Sequence, residues 1–532
     1  MSDAKKQSLR SKNFMSGVFV LTLSTVIVKI IGVLYKIPML RLIGSEGMGY
    51  FNSAYEIYTL FCVISTAGLP VAMSVMISST DAQSKNISKR IFKVGLALFL
   101  MLGIVGFFAI AGFARPISEF LKSSKAYLCI LFISPTVLFV CISSAYRGYF
   151  QGKGSMIPTA VSQIIESAGK LVLGIIFAMI ALSLGYTAEK VAAFAMMGLV
   201  LGMAVSTLYL VLKKLLDDRK NPSVCNMVDN REIFRELLSG AIPITLASAV
   251  LSVTKIIDMT MILRRLQFLG YTSAEANSVY GSYTTLALPL FSLAPALVSA
   301  VALPIVPAIA SARAGGDTEE HKKIIDTALR LTVLLAMPIS LGLCVFSGDI
   351  LSLLFSGEDE AISIASPLLA ILGLSVVSSC LITVTNAILQ AYKKAYLPIV
   401  SMICGAAVKI VIEYFLMGTP SVGIVGAPVS TFLCNLTVAG MNFFFIGKYS
   451  PYMPKVMHAF VRPFIYSAGA VGCAYVLKFY VLQRFSHRVL STVLSIGAAV
   501  VIYLIIIIST KEINLLTQRG EGIKADAGLA RS

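Results

Sequence analysis

Long apolar runs separated by short polar segments account for most of the chain. Fourteen runs are long enough to be helices: 14–36, 49–79, 91–113, 126–150, 157–181 and 190–212, then 234–262, 277–311, 325–346, 361–390, 397–417 and 424–447, and a last pair, 459–482 and 488–509. A helix needs about 20 mainly apolar residues to cross a bilayer core. The runs are continuous rather than alternating, which argues against the strands of an outer-membrane barrel. Several exceed the crossing length, so tilt or extension past the hydrocarbon is expected. The pattern predicts an all-α membrane protein with about 14 transmembrane helices.

One segment interrupts the pattern. Residues 213–233 contain Asp217-Asp218-Arg219-Lys220-Asn221-Pro222, too polar to lie in hydrocarbon. The expected division is a six-helix bundle over 1–212, a cytoplasmic linker over 213–233, a second six-helix bundle over 234–447, two further helices within 448–509, and a cytoplasmic tail over 510–532. The two halves carry matching residues in the same order. Ser16-Gly17 matches Ser239-Gly240, and Lys29-Ile30-Ile31 matches Lys255-Ile256-Ile257. Ser65-Thr66-Ala67-Gly68-Leu69-Pro70-Val71 matches Ser299-Ala300-Val301-Ala302-Leu303-Pro304-Ile305, and Pro158 with Lys170 matches Pro398 with Lys409. The spacing between partners widens along the chain, as loop insertions after a duplication would produce. Two copies of six helices share one topology. They are expected to be related by a pseudo-twofold axis along the membrane normal, with the substrate site between them.

Composition sharpens this reading. Of 532 residues, 57% are hydrophobic and 13% charged, against about 25% charged in a soluble domain; mean hydropathy is +0.85. The net charge of +18 comes from basic residues scattered over short loops, as the positive-inside rule expects. They form no aromatic-interleaved patch, so nucleic acid is not an expected partner. An even helix count puts both termini on one side. With the N-terminus in the cytoplasm, the basic segments 85–90, 213–214, 219–220 and 393–394 fall inside and the acidic Glu358-Asp359-Glu360 falls outside. Arg115, Lys122 and Lys125 are exceptions. The N-terminal Lys5, Lys6, Arg10 and Lys12 precede no small-residue cleavage site, so this end is read as uncleaved and cytoplasmic. The expected location is the cytoplasmic membrane. Nine cysteines are dispersed without a Cys-x-x-Cys, which suits small buried hydrophobes better than disulfides or metal ligands. The histidines His321, His458 and His487 are far apart in sequence. Neither a metal nor a cofactor is expected.

The ionisable residues inside the apolar runs carry the functional signal, because charge at membrane depth is costly and marks a pathway by default. Lys29 and Lys255 lie in the first run of each half, as Val28-Lys29-Ile30-Ile31-Gly32 and Thr254-Lys255-Ile256-Ile257-Asp258. Lys29 has no carboxylate three or four residues away; its neighbours there are Thr25, Val26, Gly32 and Val33. Its partner must be another helix, water in a cavity or an anionic ligand, with snorkelling to the interface as the alternative. Glu56 is the nearest candidate partner by topology. Lys255 and Asp258, at i and i+3, could pair. Glu166 with Lys170, and Lys409 with Glu413, stand at i and i+4 in corresponding runs and share a helix face; they are expected to tie helices together or to serve coupling. Lys36 and Arg41 are expected at the interface. Pro289, Pro295, Pro304 and Pro307 make the run 277–311 a candidate moving element.

Four stretches carry a family likeness: Lys29-Ile30-Ile31-Gly32-Val33-Leu34-Tyr35-Lys36-Ile37-Pro38, then Gly44-Ser45-Glu46-Gly47-Met48-Gly49-Tyr50 with Ile64-Ser65-Thr66-Ala67-Gly68-Leu69-Pro70-Val71-Ala72, and Tyr146-Arg147-Gly148-Tyr149-Phe150-Gln151-Gly152. On these the chain resembles the bacterial lipid-linked oligosaccharide flippases of the multidrug/oligosaccharidyl-lipid/polysaccharide exporter superfamily, in the branches of the MurJ-type lipid II flippases and the stage V sporulation protein B group. The resemblance implies a V-shaped pair of six-helix bundles around a central cavity. It implies alternating access for undecaprenyl-diphosphate-linked saccharides used in cell-wall, spore-cortex or polysaccharide synthesis. It places the family's first-helix cation at Lys29 and implies that the last two helices line a groove for the prenyl tail. Many lipid II flippases carry further arginines in the first two helices; here the region has Tyr35 and Cys62, and Glu56 is added.

The expected cargo is therefore a lipid-linked anionic saccharide, bound by Lys29 and Lys255 with Glu56 and Asp258 in the same cavity. Membrane lipids are the other expected partners, and the chain is read as a monomer with its coupling ion undetermined. The alternative is a cation-coupled multidrug exporter of the same superfamily, using Glu56, Asp258 or Glu413. A membrane enzyme is disfavoured, because the run pattern leaves no long external loop to poise catalytic acids.

Overall fold

The computed structural model describes residues 3–79, 85–220, 230–302, 305–306, 308–309, 318–392, 394–450, 456–480 and 488–510. All of their regular structure is helical. α1 (Asp3–Thr66) is helical on both sides of a kink within the segment 37–48 that the sequence pattern leaves as a loop. Pro38 lies inside the helix, and the break comes instead at Gly44, with φ 67° and ψ 177°. Met39, Leu40, Ile43 and Met48 are fully or nearly buried there, so core packing holds the segment helical against its proline. Gly44 is where the chain needs the left-handed conformation that glycine adopts without cost. A second break at Ala67-Gly68 separates α2 (Leu69–Ser79), whose Pro70 sits in the first turn, where a missing N–H does no harm.

The next elements are α3 (Lys85–Gly112), α4 (Ala114–Phe120), α5 (Tyr127–Ile133), α6 (Pro135–Gly152), α7 (Ile157–Ser183) and α8 (Ala188–Lys220). α8 extends eight residues into the expected linker, residues 213–220. Its polar end is held by Lys153–Asp217 at 2.8 Å, Lys89–Asp218 at 3.4 Å and a Lys214–Asp218 pair. α9 (Asn230–Phe268) begins within the other end of that linker; residues 221–229 lie outside the described set. α10 (Ser273–Ser282) starts with a Thr272/Glu275 capping box. A π-turn, Tyr283–Ala287, then joins it to α11 (Leu288–Ala302). The expected moving run 277–311 is thus interrupted, just before Pro289; Pro304 and Pro307 fall outside the described residues.

The remaining helices are α12 (Thr318–Val345), α13 (Ser347–Leu354), α14 (Asp359–Ala391), α15 (Tyr396–Met417), α16 (Gly426–Tyr449), α17 (Val456–Tyr480) and α18 (Arg488–Ser509). Twelve spans among the described residues are long and apolar enough to cross a membrane, the first being Leu23–Ser79 across the Gly44 kink. Reaching the expected fourteen requires dividing that span in two and adding α9, whose stretch 237–254 has no charged residue.

By packing the chain forms two compact units, Met1–Thr285 and Leu286–Ser532. This differs from a division at 213–233, because α9 and α10 pack on α1, and α9 also on α2 and α3. In the first unit α7 and α8 approach backbone to backbone. A Cβ on Gly198 would collide with the backbone of Gly174, and one on Gly169 with Gly202. The second limb of α1 approaches α10 as closely: a Cβ on Gly49 would strike the Asn277 carbonyl, and one on Gly281 the Ser45 carbonyl. Small residues at such crossings are how membrane helices gain contact when no hydrophobic force separates protein from lipid. In the second unit α14 is central, with α11, α12 and α16 against it. Polar contacts bind this core: Ser340 Oγ donates to the Gly373 carbonyl at 2.7 Å, and Asn442 Nδ2 to Asn386 Oδ1 at 2.8 Å and Thr385 Oγ1 at 3.0 Å.

Candidate functional site

Lys29 and Lys36 lie on the first limb of α1, seven residues apart, which is close to two turns and therefore one face. α9 packs against α1 and carries Lys255 and Asp258. The Lys29 and Lys255 charges are near enough to repel each other, and both residues are exposed. Two lysines that the repeat places in separate halves thus lie on packed helices, within reach of each other's charge. Glu56, half-buried on the second limb of α1, has Lys255, Lys36 and Asp258 as its charged neighbours. Its near partners are Lys255 and Lys36, not the Lys29 that topology suggests.

Lys36 departs from expectation. It turns inward rather than to the interface, and its ammonium donates to the Thr284 carbonyl at 2.7 Å. A π-turn leaves carbonyls without their usual helical partner, and this one sits in Tyr283–Ala287. Asn52 Nδ2 reaches the same turn, at 2.8 Å from Thr284 Oγ1 and 2.9 Å from Thr285 Oγ1. Both limbs of α1 are therefore tied to the irregular turn after α10. Arg41 is exposed. The spacing of Lys29 and Lys36 could have revealed the inward face of Lys36.

The Glu166 carboxylate is taken by Arg147 of α6, at 2.9 Å, while Arg147 Nε also donates to Ser162 Oγ at 2.9 Å. The guanidinium fork suits a carboxylate better than an ammonium does. Lys170 instead stands among rings, its ammonium 4.3 Å from the Tyr55 ring centroid, 4.9 Å from Tyr35 and 5.7 Å from Phe51. Lys36 is also a charged neighbour of Lys170. Arg147 is visible in the sequence only inside the Tyr146–Gly152 motif. Replacing Arg147 with Met should strand Glu166 and cost roughly 1–3 kcal/mol of stability. The double variant Arg147→Met/Glu166→Gln should recover most of that loss in thermal unfolding.

Lys409 and Glu413 lie on α15 in the second unit. Glu413 is buried and accepts a hydrogen bond from Ser430 Oγ at 3.3 Å. Of the expected site residues, Lys29, Lys255, Glu56 and Asp258 form one charged cluster. Lys170 and Glu166 adjoin it through Lys36, and Lys409 and Glu413 lie on α15 of the second unit. In the second unit α12, α17 and α18 also line an apolar groove of about 460 Å³, with Leu334, Pro338, Phe346, Val471, Ala499 and Ile507 in its walls. The Tyr503 hydroxyl, on that wall, is satisfied by the Leu334 carbonyl at 2.6 Å.

The first 312 residues carry the decisive likeness to known proteins: a family model described as polysaccharide biosynthesis protein matches residues 14–312. The chain belongs to the polysaccharide biosynthesis protein family. A model of the MatE family matches residues 243–415. Among curated proteins, the lipid II flippase MurJ of Bacillus subtilis (strain 168) is 26% identical over 516 residues, covering 92% of this chain and 94% of that protein. Stage V sporulation protein B of the same organism is 25% identical over 456 residues, covering 84% and 86%. A solved structure of lipid II flippase MurJ in an inward closed conformation superposes with a TM-score of 0.71 at 14% identity, covering 93% of this chain and 99% of that one. The fold is thus shared with MurJ, and this family member is a multi-pass protein of the bacterial inner membrane.

Proposed function

We propose that this protein is a flippase that carries an undecaprenyl-diphosphate-linked saccharide across the cytoplasmic membrane by alternating access, with both termini in the cytoplasm and without a chemical step of its own. The observation that carries the proposal is the approach of Lys29 to Lys255 across α1 and α9. Two ammonium groups that repel each other gain from an anion between them. At an effective dielectric near 20 each close pair gives about 4 kcal/mol before desolvation is subtracted. A diphosphate spans two such groups and cannot cross hydrocarbon unaided. Glu56 and Asp258 limit the net charge of the cluster, so the headgroup is released rather than trapped. Outward movement of a negative charge is helped by an inside-negative potential, by about 2.3 kcal/mol per charge per 100 mV. The apolar groove of α12, α17 and α18 takes the prenyl chain while the headgroup moves. The two six-helix halves, 1–212 and 234–447, are the bodies that alternate.

Depleting the protein in a host that relies on it should accumulate one lipid-linked precursor on the cytoplasmic side, identified by mass spectrometry with an impermeant probe of sidedness. Unchanged precursor pools and sidedness would refute the proposal. The MatE match over 243–415 and the carboxylates Glu56 and Asp258 favour a second reading, a cation-coupled multidrug exporter. Under that reading the depleted strain becomes sensitive to cationic drugs while precursor pools stay normal.

A further inference from the structure

A charge pair lies beside one wall residue of the apolar groove. Phe346 and Ile350 are among the residues that line it. There the ammonium of Lys478, near the end of α17, stands 5.9 Å from the centroid of the Phe346 ring and pairs with Asp349 of α13. Both side chains are 18% exposed, sheltered yet reachable. Everything else named in the wall is apolar, or is Tyr503, whose hydroxyl is already bonded. An apolar channel with a sheltered lysine beside its wall, once that lysine leaves its carboxylate, matches a long hydrocarbon chain with an anionic headgroup.

We propose that Lys478 is a phosphate subsite for a polyisoprenyl phosphate or diphosphate whose chain occupies the groove. This rests on the flippase reading and adds a second station for the headgroup, apart from Lys29 and Lys255. Asp349 holds the ammonium in place while the groove is empty and gives it up to the phosphate, which offers more acceptor oxygens in the same reach. While the groove is empty, the same carboxylate competes with anions that lack a chain to fill it.

The test uses the full chain with Lys29→Gln and Lys255→Gln, so that the central cluster adds no phosphate affinity. Native mass spectrometry in detergent measures binding of undecaprenyl phosphate, undecaprenol, phosphatidylglycerol and inorganic diphosphate. Undecaprenyl phosphate should bind about 10-fold more tightly than undecaprenol, as expected for one added charge-assisted contact. Lys478→Gln should abolish that difference without changing undecaprenol binding; Lys478→Arg and Asp349→Asn should keep it. Ala499→Phe, which fills the groove, should weaken both lipids. A phosphate preference that survives Lys478→Gln overturns the subsite and leaves the pair as a tie between α13 and α17. Equal binding of phosphatidylglycerol overturns the isoprenoid assignment, and binding of inorganic diphosphate alone overturns the need for a chain. Undecaprenol binding unaffected by Ala499→Phe removes the groove from the scheme, whereas normal precursor sidedness on depletion removes the flippase reading and leaves this binding result intact.

Discussion

Replacing Lys29 and Lys255 together with alanine should abolish transport of the lipid-linked cargo, by at least about 100-fold in a reconstituted flipping assay. A hydrogen bond to a charged group is worth about 1.5–3 kcal/mol, so two lysines contribute two factors of roughly ten or more. The single variants should each lose less than half of this in free energy. Removing one ammonium also relieves the repulsion between Lys29 and Lys255, which lowers the cost of the empty site. For the same reason the single variants should unfold at the same temperature as the parent or slightly higher. A scaffold role predicts the opposite order, with stability lost and transport lost in proportion. Lys29→Arg should retain most activity, since charge rather than shape is what the cluster supplies at this position. Transport unchanged in the double alanine variant, with the protein present at normal levels, rules out the cationic site.

Part of that site is legible in the amino-acid sequence. Lys29 and Lys255 stand out because each lies deep in an apolar run, and their local sequences repeat. Their meeting in space is not legible there, because it depends on how α9 crosses α1. Lys36 reads as interfacial from its place near the end of an apolar run; the run in fact continues as helix to Gly44, which moves Lys36 from a helix end to a helix interior. The proline at position 38 misleads for the same reason, since local propensity gives way to burial of Met39 and Leu40. The Glu166–Lys170 spacing identifies a shared face but carries no sign that Arg147, on another helix, reaches the carboxylate first. The groove needs three helices. Sequence likeness implicates the last two, while its third wall, α12, comes from packing alone.

A branched wedge at two glycine crossings should separate folding from transport. Gly198→Val places a branched side chain against the Gly174 backbone where α7 meets α8. Backbone cannot yield as a flexible side chain can, so the two helices must part along a contact that lies wholly within 1–212. Overpacking of this kind costs about 1–3 kcal/mol or more, and the expected result is low expression and a lowered unfolding temperature. Gly281→Val presents a similar clash, against the Ser45 carbonyl, but at the crossing of α1 with α10. If 1–212 and 234–447 are bodies that part and rejoin, this crossing is a reversible closure rather than a permanent core. The variant then folds, unfolds within a few degrees of the parent, and loses transport because the closed state cannot form. Cysteines at Ser45 and Ser278, whose hydroxyls approach to 2.5 Å, report the closure directly in a cysteine-free background. They should crosslink readily in the parent and poorly with Gly281→Val. Equal destabilisation by the two wedges would place α10 in the same rigid body as α1 and remove this crossing from the transport cycle.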